Sequence, residues 1–525
     1  MYLNSTPCTD GFNRQVHIRN KNSYVTNCIG LFKAFDFLRQ SGGYDIIKSV
    51  IAPTLPYKKC RGGRPQFGNF IQRLAGILIG KEDLNDHDTI DDDPAFLSAV
   101  GLSAASGCAT LCNFENSLQR HTLTAMQQVL QDLFVHYAPK HPDILWVDVD
   151  CTPIYVYGNQ ENKEFSGHYG DYCLMAMVIF INNFPVYVTL DRGCQDGRAM
   201  LEEVYEEVID FLREHYPDTP IVFRADSGFI RESLVRGIVE KGAYYLFGYA
   251  PNRAIQKFAD TEWAPEVIKQ YARPGDGMLV LRALGEYEEY RPKKWTADAH
   301  KNLRLILRDQ YAPKPAITVR QKQEGDRPKE ADLRCIITNI PTEDDGKCGQ
   351  LWRATSAAIY EDLYCRRGSA CELKFHELKD ESRAQRASAT RFLTNFYRLL
   401  LSAIAYTIFV AIRLKIFSRF EYKGRWWNVS VERMRRALLN IARLVKLGQR
   451  KIEGSSSKAL SNFAPRELLS ITQAKFLCKR LFRVLLKSFP KLRFNQRSWT
   501  NQRSGTFGST EYLDHGRPRS DSFGG

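Results

Sequence analysis

The chain has 525 residues, of which 44% are hydrophobic, 12% aromatic and 25% charged, with a formal net charge of +15. That is more chain than one ordinary core accommodates and too apolar for a disordered polymer, so two to four folded domains are expected. The first residues lack the charged-then-apolar pattern of a leader. The longest apolar run, Leu399 to Ile412, is too short to span a bilayer and reads as a buried core helix, so no membrane partner is expected.

Two further features of composition bear on function. Thirteen cysteines are scattered without a disulfide framework or zinc-ligand spacing, as expected of free thiols in a reducing cytoplasm. Residues 421–525 hold 22 Lys and Arg against 7 Asp and Glu, a net of +15, while the remainder balances at 52 against 52. A block of that kind suits a polyanionic partner through salt-dependent phosphate contacts. From about Asn495 it becomes rich in Ser, Gly and Arg, and disorder is expected there.

In chain order, residues 1–140 are expected to be mostly helical. Leu123, Met126, Leu130, Leu133, Phe134 and Tyr137 follow three-four spacing. A short basic loop, Lys58 to Arg64, precedes that helix. The acid-rich stretches 82–88 and 91–93 lack calcium-loop spacing and read as helix caps and turns. From 141 the pattern changes. Strands are predicted over 144–156, 172–181, 185–190, 220–225 and 243–249, with helices over 198–215 and 231–241. Residues 251–350 read as a β-rich insertion with strands at 303–307 and 333–338, and 351–415 return to helix.

Three strands, then helix, strand, helix, strand is the order of a ribonuclease-H-like α/β core, in which the first and fourth strands are neighbours. The expected organisation is a helical N-terminal domain (1–140), the core in two parts (141–250 and 351–420), the β-rich insertion (251–350) and a basic C-terminal segment (421–525). Neighbouring first and fourth strands would bring Asp150 and Asp226 together at the sheet's crevice. Each ends or interrupts an apolar strand, where a carboxylate is costly unless it is paired or holds a cation. Glu372, with His376 and Lys379 on the same predicted helix face, is a third candidate. Three converging carboxylates would hold hard divalent ions, and two Mg²⁺ ions can clamp the attacking and leaving oxygens of displacement at phosphorus. Asp148 shares the strand face of Asp150, and spacing alone leaves the metal role open between them.

These segments resemble the DDE transposases of bacterial insertion sequences, specifically the thirteen-eighty insertion-sequence family. The resemblance runs in order over most of residues 70–420. It is carried by Asp83 to His87 with Asp93 to Phe96, by Asn113 to Asn116, by the Asp-x-Asp-x-Thr strand at 148–152, and by Gly158 to Glu161 with Phe165 to Gly170. Arg224 to Phe229 and the Tyr-Arg-Glu-Lys signature at Tyr364, Arg367, Glu372 and Lys379 complete it. It implies Asp150, Asp226 and Glu372 as the catalytic, metal-binding triad and gives Asp148 a supporting role. It implies Tyr364, Arg367 and Lys379 as contacts to transposon-end DNA, and two Mg²⁺ ions, with Mn²⁺ as a substitute. It further implies terminal inverted repeats and target DNA as partners, a homodimer on DNA, and a nucleoid-associated protein of the bacterial cytoplasm.

One departure stands out. Glu372 lies eight residues after Tyr364 and five after Arg367, one more in each case than the signature has. In a loop the extra residue is harmless. Within a helical turn it rotates Tyr364 and Arg367 by about 100° relative to Glu372. Two other functions therefore stay open: a catalytically inactive DNA-binding descendant, and a ribonuclease-H-like nuclease.

Overall fold

The computed structural model describes residues 24–56, 66–272, 279–311, 332–341, 351–416 and 429–455, with short breaks at 91, 301, 354, 368–372, 441–442 and 448–451, and two short strands before residue 17. The basic loop 58–64, Glu372 and the tail beyond 455 lie outside the described residues.

The N-terminal part is helical: α1 (Leu31–Ser41), α2 (Gly43–Ile51), α3 (Gln66–Leu78), α4 (Pro94–Val100), α5 (Cys108–Ser117) and α6 (Arg120–Tyr137). All six apolar residues expected on the inner face of α6 are buried. Asp93 caps α4 by accepting from the N–H groups of Ala95 and Phe96, as the acid-rich stretch suggests.

One mixed sheet of ten strands dominates the remainder. Its strands are numbered β1 (Leu145–Tyr155), β2 (Glu164–Ser166), β3 (Asp171–Ile181), β4 (Phe184–Arg192), β5 (Ile221–Ala225), β6 (Tyr244–Tyr249), β7 (Val267–Ala272), β8 (Leu279–Glu286), β9 (Arg304–Tyr311) and β10 (Asp332–Thr338). β1 pairs antiparallel with β3 and parallel with β5, and β5 pairs parallel with β6. The first and fourth predicted strands are therefore neighbours. The strands of the 251–350 region join the same sheet, because β10 pairs antiparallel with β6 and leads outward to β9, β8 and β7. At the other edge α6 covers β4: the Gln127 side chain donates to the Val186 carbonyl and accepts from the Val188 N–H at 3.0 Å. An exposed strand edge is thereby satisfied.

The predicted helix 198–215 breaks at Glu203–Val204 into α7 (Gly197–Glu202) and α8 (Tyr205–His215), and α9 spans Glu232–Glu240. The helix α10 (Arg253–Thr261) and strands β7 and β8 escape the sequence reading. Val-Ile-Lys-Gln-Tyr-Ala and a strand containing Gly285 lack clear alternation. The apolar run near residue 400 becomes α11 (Phe392–Lys415). It is long and apolar enough to cross a membrane, yet 89% of its most apolar window is buried inside the fold.

Buried ion pairs tie these layers together. Arg73 of α3 donates to Glu115 of α5 at 2.7 Å, and Arg398 of α11 donates to the other carboxylate oxygen at 2.8 Å. Arg73 also faces His87 Nε2 at 2.8 Å. Burial, then Arg73, pushes the His87 pKa down to about 3. Gly158 to Glu161 has a structural use as well: Gln160 donates to the Ala387 carbonyl, and the Glu161 carboxylate accepts the N–H of Phe392 at the start of α11. In the basic C-terminal segment, Arg435 is buried and donates to the Leu78 carbonyl at 3.0 Å, while Arg436 pairs with Glu432. Arg435 thus ties this segment to α3, whereas the Arg436 pair is local to its own helical turn.

The deepest of these pairs is Asp148, with no exposed surface. Arg224 of β5 grips it with two bonds, 2.7 and 2.9 Å, and Lys374 donates to it at 3.0 Å. Arg224 also donates to the Leu363 carbonyl at 3.0 Å and lies over the Trp146 ring at 4.2 Å. Burial alone would raise the Asp148 pKa. Lys374 and Arg224 overcome it and hold the carboxyl at about 2.

Asp148→Asn leaves two buried cations without their counter-charge and is expected to cost about 3–5 kcal/mol in urea denaturation; a loss below about 1 kcal/mol would contradict this role. Both shifted groups, His87 and Asp148, contribute to the acid sensitivity. His87 binds its proton in the unfolded chain near pH 6.5 but in the folded chain only near 3, so stability falls as pH drops through that window. Asp148 contributes above its ordinary carboxylate range and loses that contribution as pH falls toward 2. His87→Gln is expected to flatten the fall between about pH 6.5 and 4, measured by denaturation at a series of pH values.

Candidate active site

The strand β1 carries the site. Alternate residues of a strand share one face, so Trp146, Asp148, Asp150 and Thr152 point the same way. On that face lie two helical stretches. Ser356–Arg367 combines short α turns with a π-helical turn at Ile359–Tyr364, and Leu373–Glu381 does the same with a π turn at Glu377–Glu381. Each polar residue of the strand face meets a cation from these stretches. Lys374 reaches Asp148, Arg367 Nη2 lies 3.7 Å from Asp150 Oδ2, and Lys379 donates to Thr152 Oγ1 at 3.1 Å. The Asp-x-Asp-x-Thr pattern is thus a row of three docking points for these two helical stretches.

Asp226 stands immediately after β5. Asp148 of β1 is in register with Arg224 of β5, and two residues further along these parallel strands come Asp150 and Asp226. The two acids therefore sit side by side, Asp150 in the middle of β1 and Asp226 just past the end of β5. The Asp226 side chain also accepts from the Gly228 N–H at 2.8 Å, so it caps the turn at Ser227–Phe229 as well as facing the site. Asp226 is exposed, and the Asp150 side chain keeps 26% of its surface open.

The charge of this pair is felt by its neighbours. The Cys151 thiol is pushed up by burial first and then by Asp150, Asp226 and Asp196. Tyr169 is raised by burial and by the negative charge of Cys151, Asp150 and Asp226. Tyr364, raised to about 12 by burial against the opposing pull of Arg367, also feels Asp226 and keeps its phenolic proton at neutral pH. Gly248 of β6 makes room for it. A Cβ there would lie 2.8 Å from the Tyr364 hydroxyl and 3.1 Å from the Ser227 nitrogen, so only glycine fits without a shift.

Asp150, Asp226, Tyr364 and Arg367 come together, with Lys379 one docking point along at Thr152. Glu372 falls within 368–372, outside the described residues, though Arg367 before it and Lys374 after it are both anchored to β1. Among the described residues no group of three or more His, Cys, Asp or Glu is placed to hold a metal. The two adjacent, solvent-reachable carboxylates nevertheless form a hard oxygen donor set that suits Mg²⁺. The expected grouping of His376 with Lys379 does not hold. His376 is exposed and pairs with Asp380 at 2.5 Å, whereas Lys379 turns inward. The π turn starting at Glu377 changes the phase on which the three-four spacing relied.

Sequence reasoning gave no role to Arg224, Lys374, Tyr169 or Gly248, although Arg224 and Tyr169 fall within motifs that carry the resemblance. Arg224 carried a signal, being a cation inside the apolar run 220–225; Gly248 carried a weaker one as a glycine within a strand.

Residues 68–464 match the family model described as Transposase DDE domain group 1. No curated protein matches the chain. Among solved structures it is similar to a piggyBac transposase in a synaptic complex with hairpin DNA, with a TM-score of 0.41 and 10% identity over 86% of this chain and 84% of that one. The family match spans well over half of the sequence, and the chain belongs to the DDE transposases of domain group 1.

Proposed function

We propose that the protein is a metal-dependent DNA transposase that cleaves and joins the ends of an insertion sequence, within the thirteen-eighty family and on a ribonuclease-H-like core. The observation that carries this reading is the adjacency of Asp150, in mid-strand on β1, and Asp226, just past the end of the parallel strand β5, under a segment docked residue by residue on β1. Asp150, Asp226 and Glu372 are the proposed ligands of two Mg²⁺ ions, for which Mn²⁺ substitutes. Metal at such a site lowers the pKa of a bound nucleophile and offsets the charge that builds on the leaving oxygen.

The chain's own groups do the rest. Asp150 and Asp226 fix the site's position on the sheet. Arg367, Tyr364 and Lys379 are the proposed contacts to the end DNA: Arg367 a charged fork for phosphate, Tyr364 a neutral hydroxyl donor, Lys379 a point charge. Arg367 has Asp150 as its counter-charge in the free protein, and a phosphate near the acids gives it a second anion to bridge. The helical region 1–140 is the proposed reader of end sequence, and the basic segment 421–525 a further holder of DNA backbone. Joining two ends to one target calls for two active sites, so a homodimer on double-stranded DNA is the proposed assembly, in the nucleoid of the bacterial cytoplasm.

Purified protein, incubated with its flanking-end DNA and Mg²⁺, is expected to cut at the element boundary and to join a pre-cut end to target DNA. Asp150→Asn and Asp226→Asn are each expected to lower cutting roughly a hundredfold or more with unchanged thermal unfolding. Binding without cutting by the wild-type chain would favour the inactive descendant, and cutting without joining a nuclease. Gly248→Ala, which crowds the Tyr364 hydroxyl, is expected to slow cutting while end-DNA affinity changes little; an unchanged rate would remove Tyr364 from the reaction's geometry.

A further inference from the structure

The sheet face that carries the acids continues beyond them. Paired residues on neighbouring strands share a face, so the register can be followed outward from Asp148. Asp148 pairs with Arg224, Arg224 with Leu246, Leu246 with Thr338 and Thr338 with Arg304. On this same face, toward the strand ends nearest Asp226, come Arg334 of β10, its partner Arg308 of β9, and the cross-strand pair Arg282 of β8 and Lys269 of β7. The contacts agree with the register. Arg308 faces the Tyr360 hydroxyl, and Lys269 and Arg282 face Glu361, all from the stretch that also delivers Tyr364 and Arg367.

Four cations therefore stand on four consecutive strands. Among the described residues, Glu361 pairs with Lys269 and Arg282, and Asp332 with Arg308 and Arg334. Among these described groups the four cations outnumber the two carboxylates. The row is also accessible, with side-chain exposures of 68% at Arg334, 52% at Lys269 and 29% at Arg282; Arg308, at 7%, is the structural member. At roughly 4.8 Å per strand, five steps from β5 to β7 extend about 24 Å from the acid pair. Duplex DNA rises about 3.4 Å per base pair, so the row matches about seven base pairs.

We infer that Lys269, Arg282 and Arg334 form a phosphate-binding track for duplex DNA that leads away from the Asp150–Asp226 pair. The inference rests on the transposase reading above and adds a binding surface to it. The phosphates replace or share Glu361 and Asp332 as counter-ions, and the contact is to backbone, so it carries no base preference.

The test is duplex binding by the full-length chain in EDTA, followed by fluorescence anisotropy over a range of salt concentrations. A 40-base-pair probe, roughly, would carry the element end and its flank. Lys269→Gln/Arg334→Gln is compared with wild type, and Arg236→Gln, an exposed cation of α9, serves as the control. The track predicts a slope of log affinity against log salt that is shallower by about 2 in the double variant, with affinity about tenfold weaker and the control unchanged. An equal slope and affinity for the double variant and wild type would overturn the track while leaving the transposase reading intact. Failure of wild type to bind any duplex would overturn both. Unaltered thermal unfolding of the double variant separates lost contacts from lost fold.

Discussion

A carboxylate with no access to water must be neutralised by its neighbours, and most of this structure's geometry follows from how Asp148 meets that requirement. Two cations converge on it from different parts of the chain, Arg224 from β5 and Lys374 from the stretch 150 residues further on. Because Arg224 also donates to the Leu363 carbonyl, four separate segments are held at one point. Removing the charge would leave both cations buried without it, so the arrangement is all-or-none. Asp150 and Asp226 owe their adjacency to the register fixed one pleat below them.

The same strand explains why Arg367, Lys374 and Lys379 land where they do. Asp148, Asp150 and Thr152 each dock one cation, so the spacing of acids on a strand with a period of two is matched to Lys374, Arg367 and Lys379 on irregular helix. The π turns at 359–364 and 377–381 let these side chains meet a straight strand that a uniform helix of 3.6 residues per turn would drift away from. Anchors on both sides of 368–372 tie the flanks of Glu372 to β1. Tyr364 stays beside Asp226 and Arg367 beside Asp150.

Much of the fold was legible because its strongest elements have clear periods. The six inward residues of α6, the strand β1 and the apolar helix α11 fall where alternation or three-four spacing places them. So does the adjacency of β1 and β5, which follows from element order alone. The helix break at Glu203–Val204 carried no Gly or Pro to announce it. Strands β7 and β8 hide because their partners, not their own alternation, make them strands. At the site, Asp148 and Asp150 could not be separated by spacing, since they share a face; what separates them is burial and partners, which only the packed structure supplies. His376 was misplaced because the reading assumed one continuous α-helix. The basic excess of the C-terminal fifth likewise mixed two roles, for Arg435 is spent on backbone carbonyls inside the fold.

The central claim is that Asp150 and Asp226 hold a divalent ion together with Glu372. The most direct measurement is Fe²⁺-mediated backbone cleavage, in which iron bound in place of Mg²⁺ cuts the chain beside its ligands. The account predicts cuts clustered near residues 150, 226 and 372, suppressed by excess Mg²⁺ and absent in Asp226→Asn. Cuts elsewhere, or a pattern that Mg²⁺ and the substitution leave untouched, would contradict it.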